Sequence, residues 1–157
     1  MALTFAYGSN MDWTQMRARC PSVEFVCIAV LKDHRLAFTR RSVNRGCGVS
    51  DVLPVEGRYV WGIVYKISEP DQLELDKSEG FRTDRPYERN SYNRHIHIVG
   101  RDGDETKPLS VEIYFAVPQD NPPLPNQEYK GLILSGARHW HLPADYIAEL
   151  ECIEVAL

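Results

Sequence analysis

Tyr59-Val60-Trp61-Gly62-Ile63-Val64-Tyr65-Lys66-Ile67 is a run dense in β-branched and aromatic residues, the clearest strand in the sequence. Side chains of this kind fit a pleated, buried surface, so the run reads as a strand. Ser68 follows it and can accept from the first free N–H groups of a helix. Pro70 supplies a preset φ for the first turn, so a helix is expected from near Pro70 to Gly80, with Leu73 and Leu75 among acidic residues.

Working outward, Leu3 to Tyr7 is a short apolar and aromatic run suited to a buried strand. Gly8, Ser9 and Asn10 break it, and Asp12 to Arg19 has helical character until Pro21. Phe25 to Leu31 and Leu36 to Arg40 read as two strands with Lys32 to Arg35 as a turn. Arg45 to Gly48 reads as a loop, with further β-rich sequence from Val49 to Val55. Beyond a polar loop from Arg82 to Asn90, Tyr92 to Val99 resumes strand character. Asp102-Gly103 then signals a hairpin before Ser110 to Val117. After a proline-rich loop, Tyr129, Leu132, Ile133 and Ala137 share one helical face, and a last helix from Pro143 uses Tyr146, Ile147 and Leu150. Many closely spaced strands and few helices predict an α+β fold with a strongly curved sheet or small β-barrel and flanking helices. With 157 residues and no linker, a single domain over residues 1–157 is expected.

A net charge of -4 gives no footprint for a nucleic-acid backbone, and no run is apolar and long enough to cross a membrane. Arg82, Arg85, Arg89 and Arg94 make one local basic stretch, read as a solvated loop and strand edge. The spacing of Cys20, Cys27, Cys47 and Cys152 matches neither a zinc site nor a disulfide framework, so reduced thiols and a cytoplasmic location are expected. His95 and His97, or His139 and His141, are pairs without a marked third ligand, and no metal is expected.

Two features carry chemistry. In Tyr7-Gly8-Ser9-Asn10 a glycine permits close approach to the backbone, where free N–H groups ahead of a helix can bind a carboxylate or an oxyanion. The same residues also fit a capping box, Ser9-x-x-Asp12, that would consume those donors internally. Glu79 is expected at a helix C-terminus, just before Gly80, an unfavourable place for a carboxylate. Shielding by Leu75 and Phe81 would raise its pKa towards that of a useful base; an ordinary surface glutamate is the other reading.

Phe5-Ala6-Tyr7-Gly8-Ser9-Asn10, Val60-Trp61-Gly62-Ile63-Val64-Tyr65 and Leu75-Asp76-x-x-Glu79-Gly80 together resemble the γ-glutamylcyclotransferase family of the AIG2-like superfamily. Tyr129, Gly136-Ala137-Arg138 and Leu142-Pro143-x-x-Tyr146 extend the resemblance, in order, across almost the whole chain. It implies a mixed β-barrel without a cofactor, Glu79 as catalytic acid/base, and a γ-glutamyl pocket of Tyr7, Gly8, Ser9, Asn10, Tyr92, Tyr114 and Tyr129. The implied partner is a small γ-glutamyl substrate closed to 5-oxoproline with release of an amine; homodimer formation is left open. A non-catalytic sensing or partner-binding module on the same fold is the alternative. Tyr92, rather than Tyr87, is the residue matched to the pocket; the long loop Phe81 to Ser91 between Gly80 and Tyr92 departs from the family pattern and bears on that match and on substrate preference.

Overall fold

A computed structural model describes residues 1–157. Five strands close into a barrel: β1 (Ala2–Ala6), β2 (Glu24–Ser42), β3 (Cys47–Ile67), β4 (Tyr92–Arg101) and β5 (Pro108–Ala116), in the order β1-β3-β2-β4-β5. Neighbours are antiparallel except β1 and β5, which close the barrel in parallel with Thr4 opposite Glu112. Four helices flank it: α1 (Trp13–Arg19), α2 (Glu69–Ser78), α3 (Gln127–His139) and α4 (Ala144–Glu151). The expected α+β barrel is the architecture observed.

The run from Tyr59 to Ile67 is apolar on both faces because both are covered. Val60 and Val64 join Phe5, Leu31, Val52, Val111 and Ile113 in one cluster, while Ile63, Tyr65 and Ile67 pack with Met11, Met16, Ile133 and Leu150 in another. Completely burying side chains of this size contributes about 1.5–3 kcal/mol each.

One expected turn is absent. Lys32 to Arg35 is not a turn: β2 runs through it with a bulge between Lys32 and His34, where Asp33 takes a left-handed φ of 59°. Its carboxylate accepts from the Gly57 N–H at 2.9 Å. The gap between the runs ending at Val55 and starting at Tyr59 is an interruption of pairing inside β3: Tyr59 pairs with Lys32 and Pro54 with His34, and residues 55–58, with Gly57 at φ 82°, bulge out between them. Polar residues and a glycine that mimic turn chemistry here form bulges, which bend the strands around the barrel. The expected loop Arg45 to Gly48 is shorter than read, because Cys47 and Gly48 already pair with Ser42 and Arg41. Ser68 caps α2 by accepting from the Asp71 N–H, and Gly80, at φ 67°, ends it.

Helix α3 lies directly on the short 3-10 turn Ser9–Met11. A Cβ on Gly136 would fall 2.2 Å from the Met11 carbonyl carbon, so glycine is what permits this approach. Trp140 Nε1 and the Tyr65 hydroxyl both donate to the Met11 carbonyl, each at 3.2 Å. The turn that follows the first strand is thereby fixed from two sides.

Candidate active site

A cleft of about 480 Å³ opens between that turn, the end of α2 and the turn joining β2 to β3. Tyr7, Gly8, Ser9, Asn10, Glu79, Tyr92, Tyr114 and Tyr129 all line it. Every expected site residue is therefore brought to one place. Tyr87 is exposed and lies outside it.

The capping box does not form. Asp12, not Ser9, is the N-cap of α1 and accepts from the Gln15 N–H at 2.9 Å. Ser9 Oγ accepts from Gln15 Nε2 instead. The backbone N–H groups of Gly8, Ser9 and Asn10 donate to no acceptor within the chain. Space beside Gly8 is also confined, since a Cβ there would meet Ser50 Oγ at 2.1 Å. Free donors without a covering side chain suit an anionic or carbonyl oxygen.

The tyrosines form a wall whose hydroxyls are tied back into the protein. Tyr7 donates to the Tyr114 carbonyl at 2.6 Å, and Tyr92 to the Ser50 carbonyl at 2.5 Å. Tyr129 Oη meets Ser50 Oγ at 2.8 Å and accepts from the Ser50 N–H at 3.1 Å. Tyr114 donates to Asp76 Oδ1 at 2.5 Å and accepts from Gln72. Burial raises the pKa of all four, so they stay neutral hydroxyls across the physiological range. Their partners fix the rings in place, and the rings shape the cavity.

Glu79 sits at the C-cap of α2, half-buried, as its sequence position implies. Leu75 lines the cleft beside it, but Phe81 does not; the Phe81 ring lies beneath the Arg94 guanidinium at 5.5 Å. Shielding thus comes from the cleft rather than from Phe81. Asn10 Nδ2 donates to Glu79 Oε1 at 3.2 Å, and no cation forms a salt bridge with this carboxylate. Burial pushes its pKa above the ordinary carboxylate value, and Asp76 adds to this. Arg19, the Asn10 hydrogen bond and Arg45 act in the opposite direction without cancelling it.

Glu79 is the sole carboxylate among the lining residues, whereas Arg19, Arg40, Arg41 and Arg45 all border the cleft. None of these four arginines has a carboxylate partner. A chain with net charge -4 thus has a locally cationic cleft. The sequence reading missed these arginines, together with Gln15 and Ser50. Gln15 and Arg19, four residues apart on α1, share a face with access to Asn10, a signal that was present. Arg45 and Ser50 arrive through the β2–β3 pairing, which leaves no local mark.

The basic stretch is also better tied than expected. Arg94 donates to both oxygens of Asp76 and pairs with Glu112, and Arg85 donates to the Gly80 carbonyl at 2.7 Å. Arg82 and Arg89 are solvated, as expected. All four cysteines are free thiols. No group of three or more histidine, cysteine or acidic side chains is arranged to hold a metal ion. No helix is long and apolar enough to cross a membrane.

Residues 59–150 match the AIG2-like family. The chain belongs to that family. It is 29% identical to human γ-glutamylcyclotransferase over 156 residues, covering 97% of this chain and 78% of the relative. Against the bovine (Bos taurus) γ-glutamylcyclotransferase the identity is 31%, with the same coverage. A solved structure described as a γ-glutamyl cyclotransferase superposes with a TM-score of 0.87 at 28% identity, over 99% of this chain and 89% of that one. These family relatives agree with the resemblance carried by the sequence motifs.

Proposed function

We propose that the protein is a γ-glutamylcyclotransferase that closes a γ-glutamyl group into 5-oxoproline and releases the attached amine. The observation that carries this reading is Glu79: a raised carboxylate without a salt bridge, facing free backbone N–H groups across a confined cleft. A sensing module would need the pocket but not a base, which favours the enzyme.

In the proposed reaction the substrate's α-amine attacks its own γ-carbonyl carbon, forming the lactam C–N bond. The C–N bond to the leaving amine then breaks. Nucleophile and electrophile are tethered, and well-oriented intramolecular attack reaches effective molarities of about 10⁵ M or more. Glu79 takes a first proton from the α-ammonium, which frees the lone pair for attack, and passes it to the leaving nitrogen. The attacking nitrogen sheds a second proton after the C–N bond forms; the departing amine takes that one too and leaves as an ammonium, and Glu79 ends ionised. Two protons leave one nitrogen and two reach the other without a cofactor. The N–H groups of Gly8, Ser9 and Asn10 serve the developing oxyanion or the substrate carboxylate. Tyr7, Tyr92, Tyr114 and Tyr129 hold the folded conformer and exclude water.

The cleft charge favours a leaving part with a net negative charge, such as an α-linked amino acid or small peptide with a free carboxylate, over an ε-linked lysine, whose free α-ammonium offsets its carboxylate. Free thiols fit work in the cytoplasm. The test is to quantify 5-oxoproline from γ-glutamyl-alanine, γ-glutamyl-ε-lysine and glutathione. Release from γ-glutamyl-alanine is expected. Tight binding of these compounds with no 5-oxoproline from any of them would point to the sensing module instead.

A further inference from the structure

We propose that Gln15 is a positioning residue, which sets the orientation of Asn10 and through it holds the Glu79 carboxylate; this rests on the reading of Glu79 as the base. The geometry is a chain of hydrogen bonds across four parts of the fold. Arg45, in the turn between β2 and β3, donates through Nη2 to Gln15 Oε1 at 2.8 Å. Gln15, on α1, donates through Nε2 to Asn10 Oδ1 at 3.0 Å. Asn10, in the 3-10 turn, donates through Nδ2 to Glu79 Oε1 at 3.2 Å.

A carboxamide can be turned either way, but here each has one satisfactory orientation. A guanidinium only donates, so Gln15 must present its oxygen to Arg45 and its NH₂ to Asn10. Arg19 Nη1 also donates to Asn10 Oδ1, at 2.9 Å, so Asn10 must present its NH₂ to Glu79. Donor polarity therefore runs one way, from arginine to carboxylate. Gln15 Nε2 further reaches Ser9 Oγ at 2.9 Å, fastening the same turn whose N–H groups line the cleft.

Glu79 is faced by Arg19 and Arg45, which favour its ionised form, and by Asp76 on its own helix, which opposes it. The hydroxyls of Tyr7, Tyr92, Tyr114 and Tyr129 are neutral. Removing the Gln15 amide takes one acceptor from Arg45 and one donor from Ser9 Oγ, but Arg45 keeps its place 5.1 Å over the Tyr129 ring and Arg19 and Asp76 are untouched, so the change that reaches Glu79 is the loosened Asn10 donor. The sign follows: the carboxylate loses a hydrogen bond, so its titration moves to higher pH.

The experiment compares the parent with Gln15→Met, which keeps the length and removes the amide, and with Gln15→Leu should the first be unstable. Two quantities are followed: kcat and KM for γ-glutamyl-alanine against pH, and the Glu79 carboxyl carbon titrated by NMR in ¹³C-labelled protein. Expected are a roughly ten-fold loss of kcat with KM within about two-fold, an acid limb moved to higher pH, and the same displacement of the Glu79 titration. In an Asn10→Ala background the substitution is expected to add no further displacement. The proposal is overturned if Glu79 titrates as in the parent, whatever the rate does, or if the displacement persists without Asn10. Should the parent release no 5-oxoproline, the cyclotransferase reading fails, while the carboxyl titration still decides the positioning role.

Discussion

Asp76 and Glu79 stand at the end of one helix, three residues apart, and the fold treats them oppositely. Asp76 has a side chain 10% exposed, and both its oxygens accept from Arg94 while Tyr114 also donates to it. Three donors hold it, and through them it ties β4 and β5 to α2. Glu79 receives a single side-chain hydrogen bond, and its neighbouring arginines donate elsewhere. The same functional group is a strut where it is held by three donors and, in the proposed reaction, the base where it is left short of partners. Both carboxylates belong to the Leu75-Asp76-x-x-Glu79-Gly80 motif, so the motif brings the proposed base and its support together.

The comparison can be broken most severely at Glu79. Glu79→Gln is expected to lower kcat for 5-oxoproline formation by about 10²–10⁴-fold. Burial raises this carboxyl, so its ionised form works against the fold and stability falls as pH rises through its titration. The neutral glutamine is therefore expected to melt no lower than the parent at neutral pH, as scanning calorimetry would show.

A second expected effect is on pH dependence. If Glu79 is the base, activity should fall about ten-fold per pH unit below its titration point, which burial raises above the ordinary glutamate value. An acid limb at or below that ordinary value would mean that the base is a better-hydrated carboxylate. Asp76→Asn sharpens the comparison from the other side. It leaves Arg94, 22% exposed, without its main partner, and a loss of about 2–3 kcal/mol in denaturant unfolding is expected. Activity should fall less than with Glu79→Gln. The smallest effect is expected for Tyr92→Phe, which deletes one hydroxyl donating to the Ser50 carbonyl and should cost about 1 kcal/mol of stability.

How much of this was legible in the sequence follows from the range of each signal. Ser68, Pro70 and Gly80 act on their own helix, so α2 and the placement of Glu79 at its end were readable from adjacent residues. The bulge near Asp33 was read as a turn, because a residue that takes φ above zero has the same chemistry in a turn and in a bulge. Only pairing across the sheet separates the two. The tyrosines were found through the family motif, whereas their hydrogen-bond partners Ser50, Gln72 and Asp76 are set by tertiary packing. Ser9 illustrates a local signal that tertiary structure overrode: Asp12 took the cap, and Ser9 was left to Gln15.

The most direct measurement is 5-oxoproline release from γ-glutamyl-alanine by Glu79→Gln and Asp76→Asn, side by side with the parent and each shown to be folded. The account predicts turnover from the parent, reduced but measurable turnover from Asp76→Asn, and essentially none from Glu79→Gln. A folded Glu79→Gln protein working within ten-fold of the parent, or an Asp76→Asn protein that is as inactive as Glu79→Gln while fully stable, would contradict it.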